Sequence, residues 1–172
     1  MGKPGKVKAV SFVAKSGTGK TTLLEKLIVE LRSRGYRVGA LKSVSHQFEI
    51  DQPGKDSCRL TAAGAEATMI ISPENLAFLQ KQLTPPKVED MIDRYFNEVD
   101  IVLLEGHRES SLPKIEVYRE QRGEPLLCCE GGRKSDYLAV ASDCPLELEI
   151  PVLDLNDAVS VADFLVREFL EN

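Results

Sequence analysis

The chain has 172 residues, 42% hydrophobic and 28% charged, with a formal net charge of −5. That length suits one α/β domain with a full core and at most a small appendage, and an acidic balance without a basic stripe argues against non-specific nucleic-acid binding. No apolar run reaches membrane-span length, and the basic start Met1–Lys6 has no signal-peptide apolar stretch behind it, so a cytoplasmic protein without a membrane or nucleic-acid partner is expected. Cys58, Cys128, Cys129 and Cys144 contain no Cys-x-x-Cys pair and read as reduced thiols.

In chain order, Val7-Lys8-Ala9-Val10-Ser11-Phe12-Val13 predicts a first strand. Ala14-Lys15-Ser16-Gly17-Thr18-Gly19-Lys20-Thr21-Thr22 follows, and then Leu23, Leu24, Leu27, Ile28 and Leu31 recur at helical spacing. A strand, a Gly-rich turn and a helix are the context in which such a segment is a phosphate-binding P-loop. Gly17 and Gly19 let successive N–H groups turn inward toward phosphate oxygens, with the helix dipole behind them. Lys20 would reach the β- and γ-phosphates, and the Thr21 hydroxyl would ligate Mg²⁺. Ala14 stands where the motif usually begins with Gly, which a negative φ tolerates. Ser16, Thr18 and Thr22 complete the expected nucleotide contacts, and Lys15 either faces the phosphates as well or lies in solvent.

The helix should run from Lys20 to about Arg34 and stop at Gly35. Val38–Lys42 reads as a strand, followed by a polar loop, Ser43 to Lys55, holding His46, Asp51 and Pro53-Gly54. Asp56-Ser57 can cap a short helix through Ala63, ended by Gly64. Ala67–Ile71 reads as a third strand, and Asn75–Gln80 fits strand or helix. After Pro85-Pro86, Val88, Met91, Ile92, Tyr95 and Phe96 share one helix face, with Glu89 and Asp90 in the first turn. Ile101-Val102-Leu103-Leu104 is the continuous apolar run of a strand buried on both sides. Ile115–Tyr118 alternates and could be a further strand running antiparallel. Tyr137–Ser142 and Val152-Leu153 are the last expected strands, and Asn156 is the expected cap of a closing helix. Strands alternating with helices imply a mostly parallel α/β sheet.

Ligands of such sheets sit beyond the carboxyl ends of the strands. Asp100 and Glu105 bracket the apolar run about 16 Å apart, so one of them can meet a nucleotide. Glu105 is at the carboxyl end, placed to bind Mg²⁺ or to orient water. Lys42 reaches the same edge, followed by the loop with His46, Asp51, Lys55 and Asp56. His107 and Arg108 follow Glu105 across Gly106. No Asn-Lys-x-Asp announces a guanine: Arg133-Lys134-Ser135-Asp136 keeps only Lys-x-Asp, and Asp143 follows a predicted strand. Either carboxylate could read a guanine edge, and the residues leave the base open. The loop from Lys42 to Arg59 could bind a second anion through Lys42, His46, Lys55 and Arg59, with backbone N–H groups of Gly54 and Ser57. Alternatively it is a nucleotide switch loop, with Asp51 or Asp56 tied to Mg²⁺.

The stretch Lys42–Ala65, with Phe48-Glu49-Ile50-Asp51, Pro53-Gly54-Lys55-Asp56-Ser57-x-Arg59 and Ala63-Gly64-Ala65, resembles the signature of the molybdopterin-guanine dinucleotide biosynthesis protein B (MobB) family. Glu105-Gly106 and Pro113-Lys114-Ile115-Glu116-Val117-Tyr118-Arg119 fit as well, so the resemblance spans nearly the whole chain. Ser43 stands where the family usually has His, and His107-Arg108 where it has an aromatic residue and Lys. The resemblance implies a P-loop NTPase-like three-layer α/β domain with a mostly parallel sheet, plus a small β-rich dimerisation extension. We expect a single nucleotide-binding domain over residues 1–172, with the extension at about 107–135 and 72–84. It implies a homodimer that binds Mg²⁺ and GTP, hydrolyses GTP slowly and partners the guanylyltransferase joining GMP to molybdopterin, with molybdopterin a possible ligand. Glu105 and Lys20 are then the catalytic candidates, and Thr21, Glu105 and Asp51 the metal candidates. Two other readings compete: an ATP-using small-molecule kinase with Arg119, Arg122 and Arg133 in a lid, and a metallochaperone-type GTPase, for which Cys and His are sparse.

Overall fold

A computed structural model describes residues 7–46, 48, 50–130 and 134–171. The elements are β1 (Lys8–Val13), α1 (Lys20–Ser33), β2 (Val38–Lys42), α2 (Asp56–Ala62), β3 (Ala67–Ile71), β4 (Leu76–Gln80), α3 (Val88–Tyr95), β5 (Ile101–Glu105), β6 (Lys114–Tyr118), β7 (Tyr137–Ser142), β8 (Val152–Asp154) and α4 (Ala158–Leu165). They divide into two compact units: Val44–Pro86, and the remainder on either side of it. The expected extension at 107–135 therefore belongs to the first unit, whereas 72–84 falls in the second.

The first unit is a six-stranded sheet in the order β2-β5-β1-β6-β7-β8, parallel throughout. Alternate residues of β5 serve opposite faces: Ile101 and Leu103 pack with Leu23, Leu27 and Leu31 of α1 and Val161 and Leu165 of α4. Val102 and Leu104 pack with Val88 and Ile92 of α3. Two apolar faces, each covered by helix, make the three layers expected of a buried parallel sheet. β2 approaches the α3 side closely at Gly39, where a Cβ would stand 2.5 Å from Phe96 Cδ1.

β6 is the main departure from expectation, being parallel to both β1 and β7. Its alternation of Lys114, Ile115, Glu116 and Val117 suggests a half-solvated strand, yet Lys114 and Glu116 are each only 2% exposed. Their charges are matched inside. Lys114 Nζ donates to Ser110 O (2.7 Å), Leu112 O (3.1 Å) and Asp136 Oδ2 (3.2 Å). Glu116 accepts from Leu127 N (2.7 Å) and Cys128 N (2.9 Å). A buried charge persists only when paired in this way, so β6 anchors the segments on both sides of it. Burial, with Glu116 beside it, pushes the Cys128 thiol up to about 12.

Two caps also differ. Asp157, not Asn156, caps α4: its Oδ1 accepts from Val159 N and Ser160 N, while the Asn156 N–H donates to Asp154 Oδ1. The cap position of α2 is Lys55, which leaves Asp56 and Ser57 inside its first turn. In the second unit Asn75–Gln80 resolves as strand: β3 and β4 form an antiparallel hairpin pairing Met69 with Phe78 and Ile71 with Leu76. α2 packs on it through Thr61 Oγ1 and Thr68 Oγ1, 2.9 Å apart. No helix among the described residues is long and apolar enough to cross a membrane.

Candidate nucleotide-binding site

The strand ends of the first unit bring three elements together as a candidate phosphate site. The loop between β1 and α1 turns through Gly17 (φ 76°) and Gly19 (φ 89°), left-handed values that favour glycine. Thr18 Oγ1 and Lys20 Nζ both donate to Lys15 O at 3.3 Å, closing the loop on itself. Lys20 opens α1. Burial lowers its pKa, Glu105 opposes that shift, and Lys42 adds to it.

Glu105 ends β5, in register with Phe12 of β1 and Lys42 of β2. Its Oε1 accepts from Thr21 Oγ1 at 3.1 Å and lies 3.6 Å from Lys42 Nζ. The strand end is locked by Ser11 Oγ, which donates to Gly106 O (2.6 Å), and by Gly106 N, which donates to Phe12 O (3.0 Å). A Cβ on Gly106 would stand 3.1 Å from Ser43 O at φ 91°, which is why a glycine stands there. His107 also takes a left-handed φ of 63°, and its Nδ1 is 3.0 Å from Ser43 Oγ. A hydroxyl and a carboxylate converging at the phosphate end suit Mg²⁺, which takes few protein oxygens and completes its shell from phosphate and water. Among the described residues no cluster of three or more His, Cys, Asp or Glu side chains offers a self-sufficient metal cage. Asp100, at the opposite strand end, instead bonds the backbone N (2.7 Å) and guanidinium of Arg37.

On the other side of β1, Arg119 follows β6 directly. Its Nε donates to Thr18 O (2.9 Å) and its Nη1 to Asp143 Oδ2 (3.2 Å), while Glu120 N donates to Asp143 Oδ1 (2.9 Å). The Arg122 guanidinium covers Gly17, with Cζ, Nη1 and Nη2 3.5–3.6 Å from the place of a Cβ there. Lys15 pairs with Glu130 at 3.0 Å. Expectation left Lys15 open between the phosphates and solvent and treated Arg119 and Arg122 only as lid arginines of the kinase reading. The strand-edge rule that selected Lys42 selects Arg119 equally. Arg133 lies outside the described residues.

His46, Asp51, Gly54, Lys55, Asp56, Ser57 and Arg59 lie in the second unit. There Asp51, Lys55, Asp56 and Ser57 line an open concavity of about 670 Å³, walled by Leu60, Met69 and Ile71 among others. Asp51 Oδ1 accepts from Gln52 N, while its buried Oδ2 has no hydrogen-bond partner among the described residues. Arg59 pairs with Asp56 at 3.3 Å. Ser16 and Thr22 are exposed on the P-loop and the first turn of α1. Glu49, of the expected signature, lies outside the described residues.

The chain is 39% identical over 168 residues to the molybdopterin-guanine dinucleotide biosynthesis adapter protein of Escherichia coli (strain K12), covering 92% of this chain and 91% of that protein. It is 36% identical over 152 residues to the adapter protein of the same name from Haemophilus influenzae, covering 87% and 83%. Among solved structures, Bacillus subtilis MobB superposes with a TM-score of 0.73 at 22% identity, over 96% of this chain and 99% of that one. A MobB homologue from Bacillus stearothermophilus gives 0.68 at 24%, over 95% and 99%. These two show the fold, a mostly parallel six-stranded sheet flanked by helices. The family model for molybdopterin guanine dinucleotide synthesis protein B matches residues 9–143, from β1 to the carboxylate beyond β7, and the chain belongs to the MobB family.

Proposed function

We propose that this chain is a Mg²⁺-dependent GTP-binding adapter of molybdopterin guanine dinucleotide biosynthesis that hydrolyses GTP slowly and assists a guanylyltransferase. The observation that carries the nucleotide reading is the Thr21 Oγ1 to Glu105 Oε1 contact of 3.1 Å beside Lys20 and Lys42 at the carboxyl edge of the sheet. The biosynthetic role is supported by the relatives named as its adapter proteins.

In this reading the loop N–H groups and Lys20 hold the phosphates, with Lys20 acting as a point charge whose partial desolvation strengthens its attraction for them. Thr21 and Glu105 would hold Mg²⁺, which neutralises phosphate charge when bound. Alternatively, Glu105 would accept a hydrogen bond from a water and orient it toward the terminal phosphate. Lys42 adds a second cation at the same oxygens.

The second unit supports the rest of the proposal. Met69, Ile71, Leu76 and Phe78 share one face of a two-stranded hairpin and remain exposed. A hairpin of this size needs a partner for independent stability, and a homodimer through this face would supply one. The concavity lined by Lys55, Ser57 and Leu60 has the volume of a small-molecule site, and we assign it to molybdopterin, with Lys55 and Ser57 toward the phosphate. Parallel titration of labelled GTP and ATP with and without Mg²⁺ tests the nucleotide reading. GTP should bind more tightly and Lys20→Ala should lose it, whereas a preference for ATP points to the kinase reading.

A further inference from the structure

We propose that the ends of β6 and β7 form the base-reading side of the site, in place of the missing Asn-Lys-x-Asp. Asp143 reads guanine, Arg119 positions it, and Arg122 lies against the nucleoside. The inference rests on the GTP reading above.

The strand order carries the argument. Glu105, Thr21 and Lys42 gather on the β5–β2 side of β1, where the metal and terminal phosphate belong. A nucleotide held by the loop with that end at β5 extends its nucleoside toward β6 and β7. There Arg119 forms one bridge from the P-loop backbone to a carboxylate: Nε to Thr18 O at 2.9 Å, Nη1 to Asp143 Oδ2 at 3.2 Å. Glu120 N holds the other oxygen at 2.9 Å. Two donors fix the carboxylate plane, and each oxygen keeps a further lone pair. A carboxylate presents acceptors only. It matches the N1–H and exocyclic amine of guanine and repels the N1 lone pair of adenine.

Arg122 is placed differently. Its guanidinium lies face-on over Gly17, with Cζ and both terminal nitrogens nearly equidistant from the Cβ position. The side chain has no hydrogen-bond or ion-pair partner among the described residues. A planar cation at the nucleoside side of the loop suits stacking on a base or ribose.

The test measures Mg²⁺-dependent binding of GTP, GDP, ITP, XTP and ATP to the full chain and three variants. In the wild type, ITP, which lacks the exocyclic amine, should bind about tenfold more weakly than GTP. Asp143→Asn should lose about ten- to a hundredfold for GTP and gain affinity for XTP. The Asn amide can donate to the C2 carbonyl of xanthine, and damaged folding cannot produce that gain. Arg119→Ala should narrow the GTP-to-ATP preference. Arg122→Ala should weaken GTP and GDP by the same factor, roughly three- to tenfold.

Equal binding of GTP and ITP by the wild type, together with intact GTP affinity in Asp143→Asn, overturns the base site while leaving the GTP reading standing. An Arg122→Ala defect confined to GTP overturns the nucleoside placement of Arg122 and moves it to the terminal phosphate. Failure of the wild type to bind any guanine nucleotide overturns the GTP reading itself, and this inference with it.

Discussion

The two units solve opposite problems with similar proportions of apolar residues. The first buries it: Leu27, Leu31, Leu103 and Leu104 are at most 1% exposed between sheet and helices. The second displays it. Among its described residues Thr68 alone is buried, while Phe48, Ile50, Met69, Ile71, Leu76 and Leu83 are exposed. A three-layer unit has two faces to fill and helices to fill them, whereas one hairpin and one short helix lack the surface for a core of their own. Apolar residues therefore mean internal stability in one region and an exposed face in the other, which the proposed homodimer would cover.

The sharpest way to break this comparison is a pair of truncations. Leu27→Ala, at a fully buried position, should cost about 2–5 kcal/mol in urea unfolding. Ile71→Ala, at 74% exposure, should cost less than about 1 kcal/mol at fixed oligomeric state. Equal losses would mean that the hairpin is core after all. Gly39→Ala comes next, because its Cβ meets the Phe96 ring at 2.5 Å. Overpacking there should cost about 1–3 kcal/mol, visible as a lower melting temperature without loss of GTP binding.

Association and ligand effects sharpen the contrast further. Ile71→Asp together with Leu76→Asp should shift the chain toward monomer in light scattering and leave nucleotide affinity unchanged, since the P-loop belongs to the other unit. Lys55→Ala with Arg59→Ala should spare GTP affinity and impair stimulation of a guanylyltransferase acting on molybdopterin. A collapse of GTP affinity would reassign those residues to the nucleotide.

The smallest expected effect separates the two carboxylates of β5 and its approach. The Arg37 guanidinium, joined by its backbone N–H, holds Asp100 below the usual carboxylate range. That contribution is present above the unfolded value near about 3.9 and is lost as pH falls through the depressed one. Asp100→Asn should flatten the acid limb of the stability curve and leave hydrolysis alone, while Glu105→Gln should depress hydrolysis and its Mg²⁺ dependence. The reverse outcome would put the wrong acid at the site.

Local signals were enough for much that is decided within a few residues, though not for the caps of α2 and α4. The glycine-rich loop, α1 ending at Gly35, the β3 and β5 strands and the position of Glu105, rather than Asp100, at the strand end beside that loop follow from periodicity, glycine placement and the strand-edge rule, because each depends on neighbours in sequence. The direction of β6 did not, since Lys114 and Glu116 look solvated until Asp136, Ser110 and the 127–128 N–H groups come to meet them. Nor did the Thr18–Arg119–Asp143 bridge, whose members are 101 and 24 positions apart. Burial of a charge and convergence of distant donors are properties of strand order, and strand order is set by how the whole sheet packs, which no single window of the chain contains.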